Sequence, residues 1–258
     1  MRKELKIFFT ALMFYTRFPV PKSTGFSNEN LNRATKYFPL IGYIVGGLGA
    51  LVFFAANQFL SVQISIIASL CLMILATGAF HEDALADFCD GFGGGYGVEN
   101  ILKIMKDSHI GTYGTVGLIL LLFSKFALLT EVDVKTIPIL IIVGHVVSRV
   151  NTVILIFSSS YVRDSYGSKS KPVGEKHKNV DLVVALFIGL VPLFLLPLYC
   201  IPVILLVLSA IFLYFRYYIH KKIGGYTGDV LGALQQFSEV GIYVSFFLAQ
   251  YLYAFISS

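Results

Sequence analysis

Six of the chain's 15 acidic residues crowd between positions 82 and 107. Their densest run is His81-Glu82-Asp83-Ala84-Leu85-Ala86-Asp87-Phe88-Cys89-Asp90-Gly91. On a helix advancing ~100° per residue, Asp83, Asp87 and Asp90 fall within ~60° of one another on one face. Carboxylates at that density repel each other, and a low-dielectric membrane edge sharpens the repulsion, so the cluster calls for a cation. Hard oxygen ligands select magnesium, manganese or calcium over zinc, and magnesium usually combines one or two carboxylates with waters and substrate phosphates. The expected chemistry is metal-assisted work on a phosphate, with Asp83, Asp87 and Asp90 as metal ligands. A solvated acidic helix end is the plainer alternative, and a zinc set of His81, Cys89 and His109 matches no familiar spacing.

The residues that follow extend the same theme. Gly91-Phe92-Gly93-Gly94-Gly95-Tyr96-Gly97 carries five glycines in seven positions, which lets backbone N–H groups of Gly93, Gly94 and Gly95 approach phosphate oxygens; a flexible connection reads equally well. Nothing spells a Walker lysine or a Rossmann turn. In Ile104-Met105-Lys106-Asp107-Ser108-His109-Ile110-Gly111, Lys106 is placed to hold a phosphate, Ser108 to contact it, and Asp107 to complete the metal site once the glycine-rich turn folds this stretch back onto the acidic helix. Arg149 stands about eight residues, or ~12 Å, inside an apolar span, an expensive position that calls for a phosphate or carboxylate partner. Lys125 is close enough to a span end to snorkel, and His145 reads as a packed polar residue. The basic loop from Tyr161 through Arg163 to Lys178 can clamp an anion. Gly224-Gly225-Tyr226-Thr227-Gly228-Asp229, leading to Glu239 at the mouth of the last span, can present Thr227, Asp229 and backbone amides to a second substrate.

The elements holding these residues must sit in lipid. A 258-residue chain that is 56% apolar and 14% charged, with a mean hydropathy of +0.77, cannot hide its apolar surface in one soluble core. Apolar runs of the ~20 residues a bilayer requires recur at Tyr37–Phe59, Val62–Phe80, Gly111–Leu129, Ile137–Phe157, Leu182–Leu198, Cys200–Ile219 and Phe237–Ile256. The expected fold is an all-α polytopic membrane helix bundle of about seven transmembrane helices, one integral membrane catalytic domain over residues 1–258. The apolar stretch Ile7–Tyr15 is too short to span and lacks a cleavage site, so an interfacial or re-entrant helix is expected there. Gly42, Gly46 and Gly49 at helical spacing predict close helix packing.

Charge sorts by loop. Seven of the 20 Lys and Arg precede position 37, and five more lie from Arg163 to Lys178. Under the positive-inside rule this places the N-terminus and the acidic loop on the cytoplasmic side. The net charge of +5 is thus a topology signal rather than a nucleic-acid footprint. Cys71, Cys89 and Cys200 show no C-x-x-C spacing, so neither a disulfide framework nor a zinc site is indicated.

These motifs, in this order, resemble the adenosylcobinamide-GDP ribazoletransferase (cobalamin synthase) family. The likeness rests on His81-Glu82-Asp83-Ala84-Leu85-Ala86-Asp87 with Asp90-Gly91, Met105-Lys106-Asp107-Ser108 with Gly111-Thr112-Tyr113-Gly114, and Gly224-Gly225-Tyr226-Thr227-Gly228-Asp229. Ala84 stands where the family often has glycine, and His109 where an arginine is common. The resemblance implies that adenosylcobinamide-GDP and α-ribazole, or its 5'-phosphate, are joined with release of GMP. It further implies magnesium held by Glu82, Asp83, Asp87, Asp90 and Asp107, with Lys106 and Arg149 neutralising charge on the transferred group. A bacterial or archaeal inner-membrane location with a cytoplasmic active site follows, with no nucleic-acid partner; a homo-oligomer is compatible with it. A CDP-alcohol phosphotransferase shares Asp87-x-x-Asp90-Gly91 but not the rest of that pattern. A cation-coupled transporter would instead carry its ionisable residues near mid-membrane.

Overall fold

The structure is a computed structural model describing residues 3–162 and 178–257. Among these residues it is helical throughout: α1 (Lys3–Tyr15), α2 (Asn28–Ala34), α3 (Phe38–Ala56), α4 (Val62–Thr77), α5 (Phe80–Gly94), α6 (Val98–Ile104), α7 (Thr112–Thr130), α8 (Ile137–Ser158), α9 (Asn179–Leu190), α10 (Cys200–Ile223) and α11 (Gly228–Ser257). Tyr161 and Tyr226 make an isolated parallel bridge, through Val162 N–H to Tyr226 O and Tyr226 N–H to Ser160 O, both 3.0 Å.

Among the described residues five helices are long and apolar enough to cross a membrane, or six if the bent pair α4 and α5 forms one span. Seven were expected, and the differences have local causes. Helix α4 stops at Gly78 and Ala79, both left-handed at φ 67° and 59°, and α5 leaves at 86° to it. Arg17 covers the break: its N–H donates to Ala76 O at 2.8 Å, and its guanidinium packs against Gly78. A cation at a helix C-terminus suits the partial negative charge there. In place of the expected span Leu182–Leu198 stands the shorter α9, which passes into a 3-10 turn over Val191–Leu195 at Pro192, where proline removes a helical donor. Helix α11 begins nine residues before the expected start at Phe237 and so carries Glu239 into its interior.

The centre of the bundle is α8, almost wholly buried, packed on α3. A Cβ on Gly42 would lie 2.6 Å from His145 O, and one on Gly46 3.0 Å from the His145 side chain. The expected close packing is therefore present, and it sets α3 directly against the polar residues of α8. Helix α1 is docked rather than loose: Ile7, Thr10, Ala11 and Tyr15 are buried, and the Tyr15 ring stacks on Phe38 at 4.2 Å. Lys36 Nζ, in the 3-10 turn ahead of α3, ties Glu4 (2.7 Å) to the buried Asp181 (3.2 Å), joining α1 and α9 at one end of the bundle.

Candidate active site

The bend after α4 creates a new helix N-terminus, and the first turn of α5 carries Glu82 and Asp83. Partial positive charge at such an end favours carboxylates. Helix α5 is held against α11 where Ala84 meets Gly232, a contact so close that no side chain fits at position 232. That packing brings the start of α5 beside the start of α11. Between them and α1, α3 and α8 lies a cavity of ≈ 250 Å³ lined by both Asp83 and Asp229. Aromatic residues from five separate stretches, Tyr15, Phe38, Phe80, Tyr161 and Tyr226 among them, wall the rest. Thr227 caps α11, its hydroxyl accepting from Val230 N–H at 3.3 Å; it is fully buried and orders the turn that presents Asp229.

The other expected ligands do not join this pair. Asp90 is buried, and its two oxygens accept from Gly111 N–H (2.7 Å) and Gly114 N–H (2.8 Å). It binds the N-terminus of α7, so the predicted fold-back occurs through Asp90 and not through Asp107. Asp107 lies on an exposed turn with Lys106, Ser108 and His109. The hydrogen bond from His109 Nδ1, at 2.7 Å, holds its carboxyl below the usual range. Glu82 Oε1 accepts from Gln236 Nε2 at 2.9 Å, while its Oε2 is buried with no hydrogen-bond partner. Asp87 is half-buried one turn beyond Asp83. Among the described residues no three His, Cys, Asp or Glu side chains are grouped to hold a metal, so the five-carboxylate centre is not formed. Helix N-termini and side-chain donors neutralise much of the charge that was expected to require a cation.

The glycine-rich run is likewise not an open phosphate loop. Gly91, Gly93 and Gly94 are helical; a Cβ on Gly93 would sit 2.7 Å from the Tyr113 ring, and one on Gly95 2.8 Å from Ile101. These glycines let α6 and α7 close on α5. Arg163 lies outside the described residues.

Beneath the acidic helix runs a buried polar network that sequence reasoning dispersed. Glu239, with no exposed surface, meets Lys125 Nζ at 2.9 Å, Gln235 Nε2 at 2.9 Å, Tyr243 OH at 3.1 Å and His145 Nε2 at 3.5 Å. Lys125 also donates to Gln236 Oε1 at 2.6 Å, and Gln236 in turn holds Glu82. Lys125 therefore does not snorkel, and Glu239 is no substrate contact at a span mouth. Two opposite charges inside separate spans were the available signal. His145 packs as expected, while Arg149 donates to its carbonyl and lies 5.1 Å over the Phe38 ring, with Nε and Nη2 unpartnered.

Comparison with known proteins follows this geometry. A family profile described as cobalamin-5-phosphate synthase matches residues 7–247. The adenosylcobinamide-GDP ribazoletransferase of Shewanella woodyi is 44% identical over 252 residues, covering 95% of this chain and 96% of its own length. Its namesake in Shewanella pealeana is 42% identical over 94% and 95% of the two chains, and that of Vibrio parahaemolyticus 40% over 95% and 93%. No solved structure matches. An acidic helix end, a facing Gly-Asp turn and a match over nearly the full length agree: the chain belongs to the cobalamin-5-phosphate synthase family.

Proposed function

We propose that this chain transfers the cobinamide-phosphate moiety of adenosylcobinamide-GDP to α-ribazole, or its 5'-phosphate, giving adenosylcobalamin, or its 5'-phosphate, and GMP. Its relatives carry the name of that reaction. The single structural observation that supports it is a cavity lined by two carboxylates from facing helix N-termini. At ≈ 250 Å³ that cavity suits a diphosphate and its immediate neighbours, leaving the corrin ring outside.

In the transfer, the ribazole 3'-oxygen bonds to the phosphorus on the cobinamide side. The bond from that phosphorus to the bridging oxygen breaks, and GMP leaves with that oxygen. A cavity carboxylate, Asp83 or Asp229, takes the hydroxyl proton. Asp83 and Asp229, the two carboxylates of the cavity, fit a magnesium ion, which uses few carboxylates and fills its shell with waters and phosphate oxygens. When bound, it supplies neutralisation of the diphosphate's charge. Arg149 adds positive potential across the Phe38 wall of the cavity. The basic loops support a cytoplasmic placement of this end of the bundle in a bacterial or archaeal cell membrane. Lys106, Asp107 and Ser108, on their exposed turn, take no part in this assignment.

The test supplies both substrates to detergent-purified protein and measures GMP by chromatography. GMP is expected with magnesium and lost on chelation. Its absence with both substrates and magnesium present would overturn the reading.

A further inference from the structure

A second depression adjoins the carboxylate cavity, and its chemistry is opposite. It encloses ≈ 650 Å³ between the end of α10, the start of α6 and the segment Ser160–Val162, and it is lined by His220, Lys221, Lys222 and the backbone of Gly224, with no acidic residue among the described residues. Two other buried cations are matched by carboxylates: Lys36 by Glu4 and Asp181, Lys125 by Glu239. Lys221 and Lys222 make no ion pair among the described residues and lie only over the rings of Tyr217 and Tyr218, at 5.8 and 5.9 Å. Part of their charge offsets the partial negative end of α10, which two lysines exceed. His220 Nε2 is anchored 3.0 Å from Ser159 Oγ. Tyr161 lines both this depression and the carboxylate cavity. It is held by the flanking backbone bonds to Tyr226 and stacks edge-on to that ring at 5.5 Å.

We propose that this depression is the phosphate subsite for the nucleotide end of the substrate, with Lys221 and Lys222 pairing to the phosphate of the departing GMP and Tyr161 forming the wall between the two halves. This rests on the transfer reading above and adds to it a place for the leaving group. Once the bridging bond has broken, the GMP phosphate passes Tyr161 from the carboxylate cavity to the lysines. Charge-assisted contacts to phosphate are the strong hydrogen bonds available to such side chains.

The same cations would also suit an anionic lipid headgroup, so the experiment separates the two sources. Equilibrium dialysis with radiolabelled GMP is run on full-length protein in nanodiscs of phosphatidylcholine, for wild type, the double variant Lys221→Gln/Lys222→Gln, its Arg/Arg counterpart, and Lys135→Gln, an exposed lysine away from both depressions. The Gln pair is expected to weaken GMP binding about 10-fold or more, the Arg pair to restore it, and Lys135→Gln to leave it within about 2-fold. An unchanged GMP affinity in the Gln pair overturns the subsite. So does loss of co-purifying phosphatidylglycerol in that variant, seen by native mass spectrometry, with GMP affinity intact. Dialysis needs no turnover: lysine-dependent GMP binding by a protein that forms no GMP from its two substrates would sink the transfer reading and leave the subsite standing.

Discussion

The carboxylates of the cavity and those of the buried network were drawn from the same pool of acidic residues, yet the structure treats them differently. Asp83 and Asp229 sit at helix N-termini and line open space. Glu239 and Asp90 have their oxygens engaged by protein donors, four side chains for one and two backbone N–H groups for the other. Acid density alone does not identify a metal site. What distinguishes a reactive carboxylate from a structural one is whether it still faces a cavity that a ligand can enter.

Replacing Glu239 by Ala tests the structural side and should have the largest effect. Lys125 would be left unpaired in the bundle interior, a loss of about 3–5 kcal/mol, read as a large drop in the thermal midpoint. A midpoint unchanged within error would dissolve the distinction. On the reactive side, Asp83→Asn keeps the shape of the side chain and should lower kcat by about 10²–10³ while the midpoint holds; a variant that turns over normally would remove Asp83 from the chemistry.

Asp90→Ala sharpens the comparison from within the acidic helix itself. It removes two bonds to the start of α7 and should cost about 2–3 kcal/mol, with activity falling only as folded protein is lost. A fall in kcat at full stability would return Asp90 to the reactive set. The smallest effect concerns Glu4, whose carboxyl is held below its usual range chiefly by the hydrogen bond from Lys36. A group whose folded pKa is depressed stabilises above its unfolded value and loses that contribution as pH falls through the folded one. Docking of α1 should therefore weaken as pH drops below about 4.5, the ordinary Glu value, seen as faster amide exchange over residues 3–15, and Glu4→Gln should abolish the pH dependence.

How much was legible in advance follows from the range of each interaction. Apolar runs of bilayer length announced a helical membrane bundle, and Gly42, Gly46 and Gly49 announced close packing. The motifs around Asp83 and Asp229 were picked out, because unusual residue types at fixed spacing are visible without coordinates. The glycine-rich run was read as a loop because glycine composition does not distinguish a turn from a helix face that must admit Tyr113 and Ile101. Lys125 and Gln236 were missed because their partners lie more than 100 positions away.

Sequence by itself determined the solvent, the helical class and the family, since hydropathy, helical periodicity and ordered motifs are written along the chain. Only tertiary structure decided which acids remain available for chemistry. That depends on the 86° turn at Gly78–Ala79, which gives α5 its own N-terminus, and on the Ala84–Gly232 contact that sets this end beside Asp229. Whether a carboxylate is satisfied is a property of the donors that surround it in space, and those donors come from distant parts of the chain.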